Sequence, residues 1–212
     1  MKFIPILFST PMVQAIQEGR KTQTRREVNF PMVWPDLLED LHAKLVVKRK
    51  EVFDLKGESR FALRDRFGKP GDVLWVRETF AVAGARTRYK ADYDWTDEEK
   101  SLGEIAPWKP SVHMHKAYCR FFLEVVSIRV ERLQDISEHD AMKEGVFASP
   151  IYQGYVTDME GRNFHASSAA RSFEKLWCQI NGPESWEANP WVWVVEFKKI
   201  EKPENFLSNE PT

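Results

Sequence analysis

The sequence predicts an α+β fold built on a small β-barrel, and three observations carry that prediction. Strand-like apolar segments stand at both ends and in the middle, at residues 2–8, 73–80, 118–133 and 191–200. Helical segments lie between them without a steady strand–helix alternation, which favours an α+β barrel over a doubly wound parallel sheet. Internal repeats are absent, so solenoids and propellers drop out.

The 212 residues are enough to bury a core without disulfides or metals, and residues 1–212 read as one domain carrying insertions near 29–69, 83–110 and 147–165. Hydrophobic residues at 42% and charged residues at 30% exclude a disordered or fibrous chain. With 31 Lys and Arg against 32 Asp and Glu there is no global basic field, so any nucleic-acid contact must be local. Cys119 and Cys178 lie far apart without metal-type spacing, the pattern of a reducing compartment. No stretch has the length and apolarity of a membrane span or a signal peptide, so the expected location is cytosolic, with no membrane partner.

In chain order, residues 2–8 are the first strand, and Ser9-Thr10-Pro11 opens a helix with a hydroxyl cap and a proline at the first helical position. Met12, Val13 and Ile16 share one face, and Gly19 supplies the left-handed residue that ends the helix. Between 29 and 69 a helix over 35–46 and a strand over 47–55 are expected, both interrupted by Lys and Arg. Lys69-Pro70-Gly71-Asp72 is a turn, and residues 73–80 after it form a buried central strand. Residues 83–110 read as an insertion loop over one barrel mouth. The best long strand is 118–133, with Glu124, Ser127, Arg129 and Glu131 on a partly wet face. Ser137-Glu138-His139-Asp140 resembles a capping box, and the short helix it starts closes at Gly145 with Glu144 in its last turn. A second loop covers 147–165. Phe173, Leu176, Trp177 and Ile180 mark a helix over 167–181 that Gly182-Pro183 stops, and 191–200 is the last strand.

The string Gly19-x-Lys21-x-x-Thr24-x-Arg26, directly after a short helix, resembles the signature of the ASCH family. Pro70-Gly71-Asp72-Val73-Leu74, the segment from Ser137 to Glu144, and Trp193-Val194-Val195-Glu196-Phe197 resemble further family motifs in the family's order. Trp75-Val76-Arg77-Glu78-Thr79-Phe80 and Trp108-Lys109-Pro110-Ser111 are similar to motifs of long members encoded by bacteriophages and prophages. The resemblance implies a PUA-like barrel with flanking helices and an association with RNA metabolism. It also implies the chemistry of the small bacterial N4-acetylcytidine amidohydrolases, whose catalytic lysine, threonine and glutamate match Lys21, Thr24 and Glu144. The chain departs from those enzymes in its insertions.

The implied roles are chemically sound. An amide hydrolase needs a nucleophile, a base and an acid. Thr24 supplies a hydroxyl, and a neutral Lys21 can deprotonate it, as in Ser-Lys hydrolytic variants. Arg20, Arg25 and Arg26 crowd Lys21 with positive charge, which lowers a lysine pKa. Glu144, at the negative end of a helix dipole, is disfavoured in its ionised form, as suits a proton donor. In an extended strand positions 21 and 24 face opposite ways, so their cooperation demands a turn just after Gly19. Taken singly, these residues have ordinary structural readings: a lysine at a helix C-terminus, a solvated basic run, a turn hydroxyl. No cofactor is required.

Further candidates for substrate contact are Arg25, Arg26, Trp75, Arg77, Glu78, Ser111, His113, Trp191 and Trp193. Arg77 and Glu78 read equally as an ion pair or as a grip on a base or phosphate. The tryptophans offer a stacking face or serve as core; Trp191 and Trp193 share a face by strand alternation. His113 and His115 have no thiolate or carboxylate beside them, and no metal is assigned. The functional expectation is an amidohydrolase-like enzyme acting on an acylated or modified cytosine nucleoside, nucleotide or base. A noncatalytic module holding single-stranded RNA or a modified base is the alternative, and a ribonuclease the third.

Overall fold

A computed structural model of the chain describes residues 1–28, 66–84, 86–92, 96, 99, 106–150, 153–157 and 166–207, and the backbone alone at 46–48, 51–53 and 59–62. The fold is α+β. Its centre is a five-stranded mixed sheet of β1 (Phe3–Leu7), β2 (Gln23–Glu27), β6 (Val73–Arg77), β9 (Phe122–Arg132) and β12 (Trp191–Ile200), in the order β1-β6-β9-β12-β2. Only β1 and β6 are parallel; β9 and β12 pair over ten positions. No closed barrel forms among the described residues, because β1 and β2 remain the two edges.

β6 and the first half of β12 are covered on both faces, which explains why they read as continuous apolar runs, whereas β9 keeps a partly wet face. Leu74 and Val76 of β6 point inward with Leu123, Val125, Trp193, Val195 and Phe197. This interior also takes Val13 and Ile16 from α1 (Thr10–Gln17). The residues between them face outward: Val192 and Val194 pack under the helices of the C-terminal half, while Val73, Trp75 and Phe122 pack around Phe206. Val126 is the odd residue. Glu196 pairs with Ser127 and Phe197 with Val125, so Val126 is the extra residue of a β-bulge and points to solvent.

α1 starts at Thr10 with Ser9 at the N-cap and Pro11 in its first turn, but the hydroxyl cap expected from the sequence is not made; Gly19 takes φ 74° just beyond the helix. α2 (Glu138–Lys143) has Ser137 as N-cap, its hydroxyl accepting from the Asp140 amide. The expected capping box is only half made, because Asp140, three residues after Ser137, turns its carboxylate to Gln23 and Arg129. The Glu138 carboxylate accepts from the amides of Ala169 and Ala170, capping α3 (Ala169–Asn181). That carboxylate joins the two helices that cover the outer face. α4 (Pro183–Glu187) follows Gly182 directly, where the sequence suggests only a helix stop.

Three sequence expectations are corrected. Residues 73–80 are not one strand: β6 ends at Arg77, and β7 (Phe80–Ala83) turns away to pair with β8 (Arg86–Tyr89). The break falls at Glu78, a carboxylate buried to 1% exposure and held by Arg120 through two bonds of 2.8 and 2.9 Å. Residues 83–110 therefore begin as a hairpin arm rather than as a loop, and 147–165 likewise contains the pair β10 (Phe147–Ala148) and β11 (Tyr155–Val156). The strand expected at 47–55 is two, β3 (Val46–Lys48) and β4 (Glu51–Phe53), antiparallel and extended by β5 (Ser59–Ala62). The helix expected at 35–46 lies, up to residue 45, outside the described residues. Among the described residues no helix is long and apolar enough to cross a membrane.

Candidate functional site

The chain leaves α1, turns at Gly19 and enters β2, so that Lys21 stands just before the strand and forms an isolated antiparallel bridge with Glu144. The backbone locks this crossing: the Lys21 amide donates to Ala15 O at 3.0 Å and the Thr22 amide to Lys143 O at 2.9 Å. Glu144 caps α2, and Gly145 after it adopts φ 106°, a conformation that favours glycine. A Cβ at Gly145 would sit 3.2 Å from that of Ala15, tighter than ordinary contact, and 3.5 Å from that of Lys21, an ordinary contact distance.

Lys21 and Glu144 form a buried pair. Lys21 Nζ donates to Glu144 Oε2 at 2.7 Å and to the Glu144 carbonyl at 2.9 Å, with side-chain exposures of 1% and 4%. Arg25 Nη1 donates to the other carboxylate oxygen at 3.1 Å. Burial pushes the Lys21 ammonium below its ordinary 10.5, against the pull of Glu144, and the charges of Arg26 and Arg25 lower it further.

The turn that cooperation of positions 21 and 24 demands is present. Thr24 and Arg26 stand opposite Val195 and Trp193 in the β2–β12 ladder, residues of the interior face. Lys21 Nζ lies 5.8 Å from the ring centre of interior Phe8, and the Arg26 guanidinium 5.4 Å from it. Lys21 thus reaches the same side as Thr24. Arg26 also donates to Leu7 O at 2.7 Å, spanning the two edge strands of the sheet.

Two adjoining cavities open here between α1, β2 and α3. The smaller, about 70 Å³, is lined by Thr24, Arg25, Arg26 and Glu144 together with α3 side chains such as Phe173 and Trp177. The larger, about 330 Å³, lies between α1 and α3, with Glu144 and Gly145 in its wall. Met12, Glu144, Leu176 and Ile180 line both. Lys21 lines neither and sits behind Glu144.

Arg25 is held differently from a free substrate contact. Its Nη1 also donates to Gln23 Oε1 at 2.6 Å, and its Nη2 reaches Glu131 and, at 3.4 Å, Asp140. Arg129 donates to the same two carboxylates, and Glu196 joins through Arg129, Gln23 and Lys143. This outer-face network fixes the guanidinium that in turn holds Glu144. Sequence reading noted Ser127, Arg129 and Glu131 as one strand face but missed what they support. The missing signal was the alternation Gln23, Arg25 on β2, which aims both residues at that face.

The remaining candidates lie elsewhere. Trp75 is 6% exposed in the cluster around Phe206, and Trp193 is 3% exposed in the interior. Trp191 packs against the interior beneath the guanidinium of Arg132 at 4.4 Å. Arg77 does not pair with Glu78; it lies over Trp75 and donates to the carbonyl of Val112. Glu78 pairs with Arg120 instead. Ser111 and His113 form a 3-10 turn, with His113 exposed. None of these lines either cavity. Among the described residues no cluster of three or more His, Cys, Asp or Glu could hold a metal ion.

No family model, curated protein or solved structure matches the chain.

Proposed function

We propose that the chain is an amidohydrolase-like enzyme acting on an acylated or otherwise modified cytosine nucleoside, nucleotide or base. The observation that carries this reading is the buried Lys21–Glu144 pair, whose Glu144 lines a cavity together with Thr24 while Lys21 stands behind it. The pair holds one transferable proton. With that proton on Glu144 both groups are neutral, and Lys21 is then the base that an unactivated threonine needs.

In this reading Lys21 takes the Thr24 hydroxyl proton as Oγ attacks the amide carbonyl. The C–N bond breaks, the departing amine takes a proton from Glu144, and the acyl group rests on Thr24 as an ester. Water then cleaves the ester, giving the carboxylic acid and restoring the hydroxyl. Arg25 holds Oε1 of Glu144 and leaves Oε2 facing Lys21. Arg26, lining the cavity beside Thr24, orients the substrate.

The same reading makes the five-stranded sheet an ASCH-type, PUA-like barrel left open between β1 and β2. The Arg26 bond to Leu7 O supports it, since it bridges those edges across the interior cluster. The alternative of a module for single-stranded RNA or a modified base draws less support. Trp75 and Trp193 belong to packed clusters and line neither of the two cavities.

The test is hydrolysis of N4-acetylcytidine, followed by chromatography, by the wild-type chain beside Lys21→Ala, Thr24→Ala and Glu144→Gln. Each folded variant is expected to lose at least ~100-fold in kcat/KM, the scale of a general acid–base contribution. The productive state keeps one proton on the pair, so wild-type kcat/KM should fall as rising pH removes that proton, with a midpoint below the ordinary lysine value of 10.5. A flat profile, or full activity in Lys21→Ala, would exclude Lys21 as the base.

A further inference from the structure

We infer that the larger cavity is an acyl pocket, and that the preferred substrates carry an aliphatic acyl group longer than acetyl. This rests on the amidohydrolase reading and adds to it the shape of the group transferred.

Position is the first argument. Glu144 belongs to both cavities, so a carbonyl beside Thr24 and Glu144 in the smaller one has the larger one as its next open volume. Size is the second: about 330 Å³ holds roughly ten waters at ~30 Å³ each, whereas an acetyl methyl takes the room of about one. That volume falls at the low end of ordinary small-molecule sites.

Chemistry is the third argument, and it selects the occupant. Pro11, Met12 and Ala15 of the α1 segment face Leu176 and Ile180 of α3 across the cavity. Such walls suit an alkyl chain and desolvate it. Both arginines line only the smaller cavity; the polar lining of the larger is Ser9, Glu144, Thr157 and Gln179, with no cation and no aromatic ring, so a phosphate has no charged partner and a base no stacking partner there. The polar part of the substrate must therefore leave through the Arg26 side. Gly145 keeps the wall thin where the pocket meets the pair, because a Cβ there would press on Ala15.

The experiment compares kcat/KM for N4-hexanoylcytidine and N4-acetylcytidine in wild type, Leu176→Trp and Met12→Trp, two variants that fill the pocket from opposite helices. Wild type should favour hexanoyl by roughly ten-fold or more, the scale a filled apolar pocket gives. Each folded variant should reduce that ratio by a similar factor. A wild type that prefers acetyl, with a ratio neither variant moves, would overturn the inference. If neither compound is hydrolysed the enzyme reading falls, and ligand-observed NMR with hexanamide then decides the pocket separately. Saturation transfer to the hexanamide chain that weakens in both variants would sustain an aliphatic-amide pocket, and no transfer in wild type would overturn it.

Discussion

Replacing Glu144 with alanine should cost about 3–5 kcal/mol of folding stability in urea unfolding at pH 7, because it leaves the buried Lys21 ammonium without its carboxylate. Lys21 has 1% side-chain exposure, and the Arg25 guanidinium that shares Glu144 with it is fully covered. The penalty is that of an orphaned charge rather than of a lost attraction. The double variant Lys21→Met with Glu144→Leu should therefore be more stable than Glu144→Ala, since apolar groups of similar size replace both charges. A loss below about 1 kcal/mol for Glu144→Ala would show that water reaches Lys21, and the argument for a desolvated base would fail with it.

Phe206→Ala should destabilise the chain by about 3–5 kcal/mol, the usual cost of truncating a fully buried phenylalanine. Phe206 is 0% exposed and touches three rings edge-on: Phe122 at 4.7 Å, Phe3 at 5.2 Å and Trp75 at 6.0 Å between centres. These come from β9, β1 and β6, so one side chain beyond the last strand closes the outer face of half the sheet. Thermal unfolding measures the loss. If the melting temperature of Phe206→Ala stays near that of wild type, the C-terminal turn is not part of the core.

Elements with local causes were legible in the sequence. α1 follows from Ser9, Pro11 and Gly19, α3 from its apolar spacing and Gly182, and β12 from a run of β-formers. What was not legible depends on partners far along the chain. β6 ends just before Glu78, whose partner Arg120 lies 42 positions later, and nothing near Glu78 announces that pairing. The same holds at the site. The meeting of Lys21 and Thr24 with Glu144 was readable only through the motif, because 123 positions separate the paired charges. Arg25 looked like a substrate contact since a basic run gives no hint of the acidic residues that β9 and α2 bring to it. The tryptophans could not be sorted between core and rim, because strand alternation groups Trp191 with Trp193 but does not say which face is inside.

The most direct measurement of the proposed chemistry is mass spectrometry of the Thr24-containing peptide after acid quench of the chain reacting with N4-acetylcytidine. An acetyl group on Thr24, absent in Thr24→Ala and Lys21→Ala, is the predicted result. Turnover that leaves Thr24 unmodified and persists in Thr24→Ala, or no turnover by the folded wild-type chain, would contradict it.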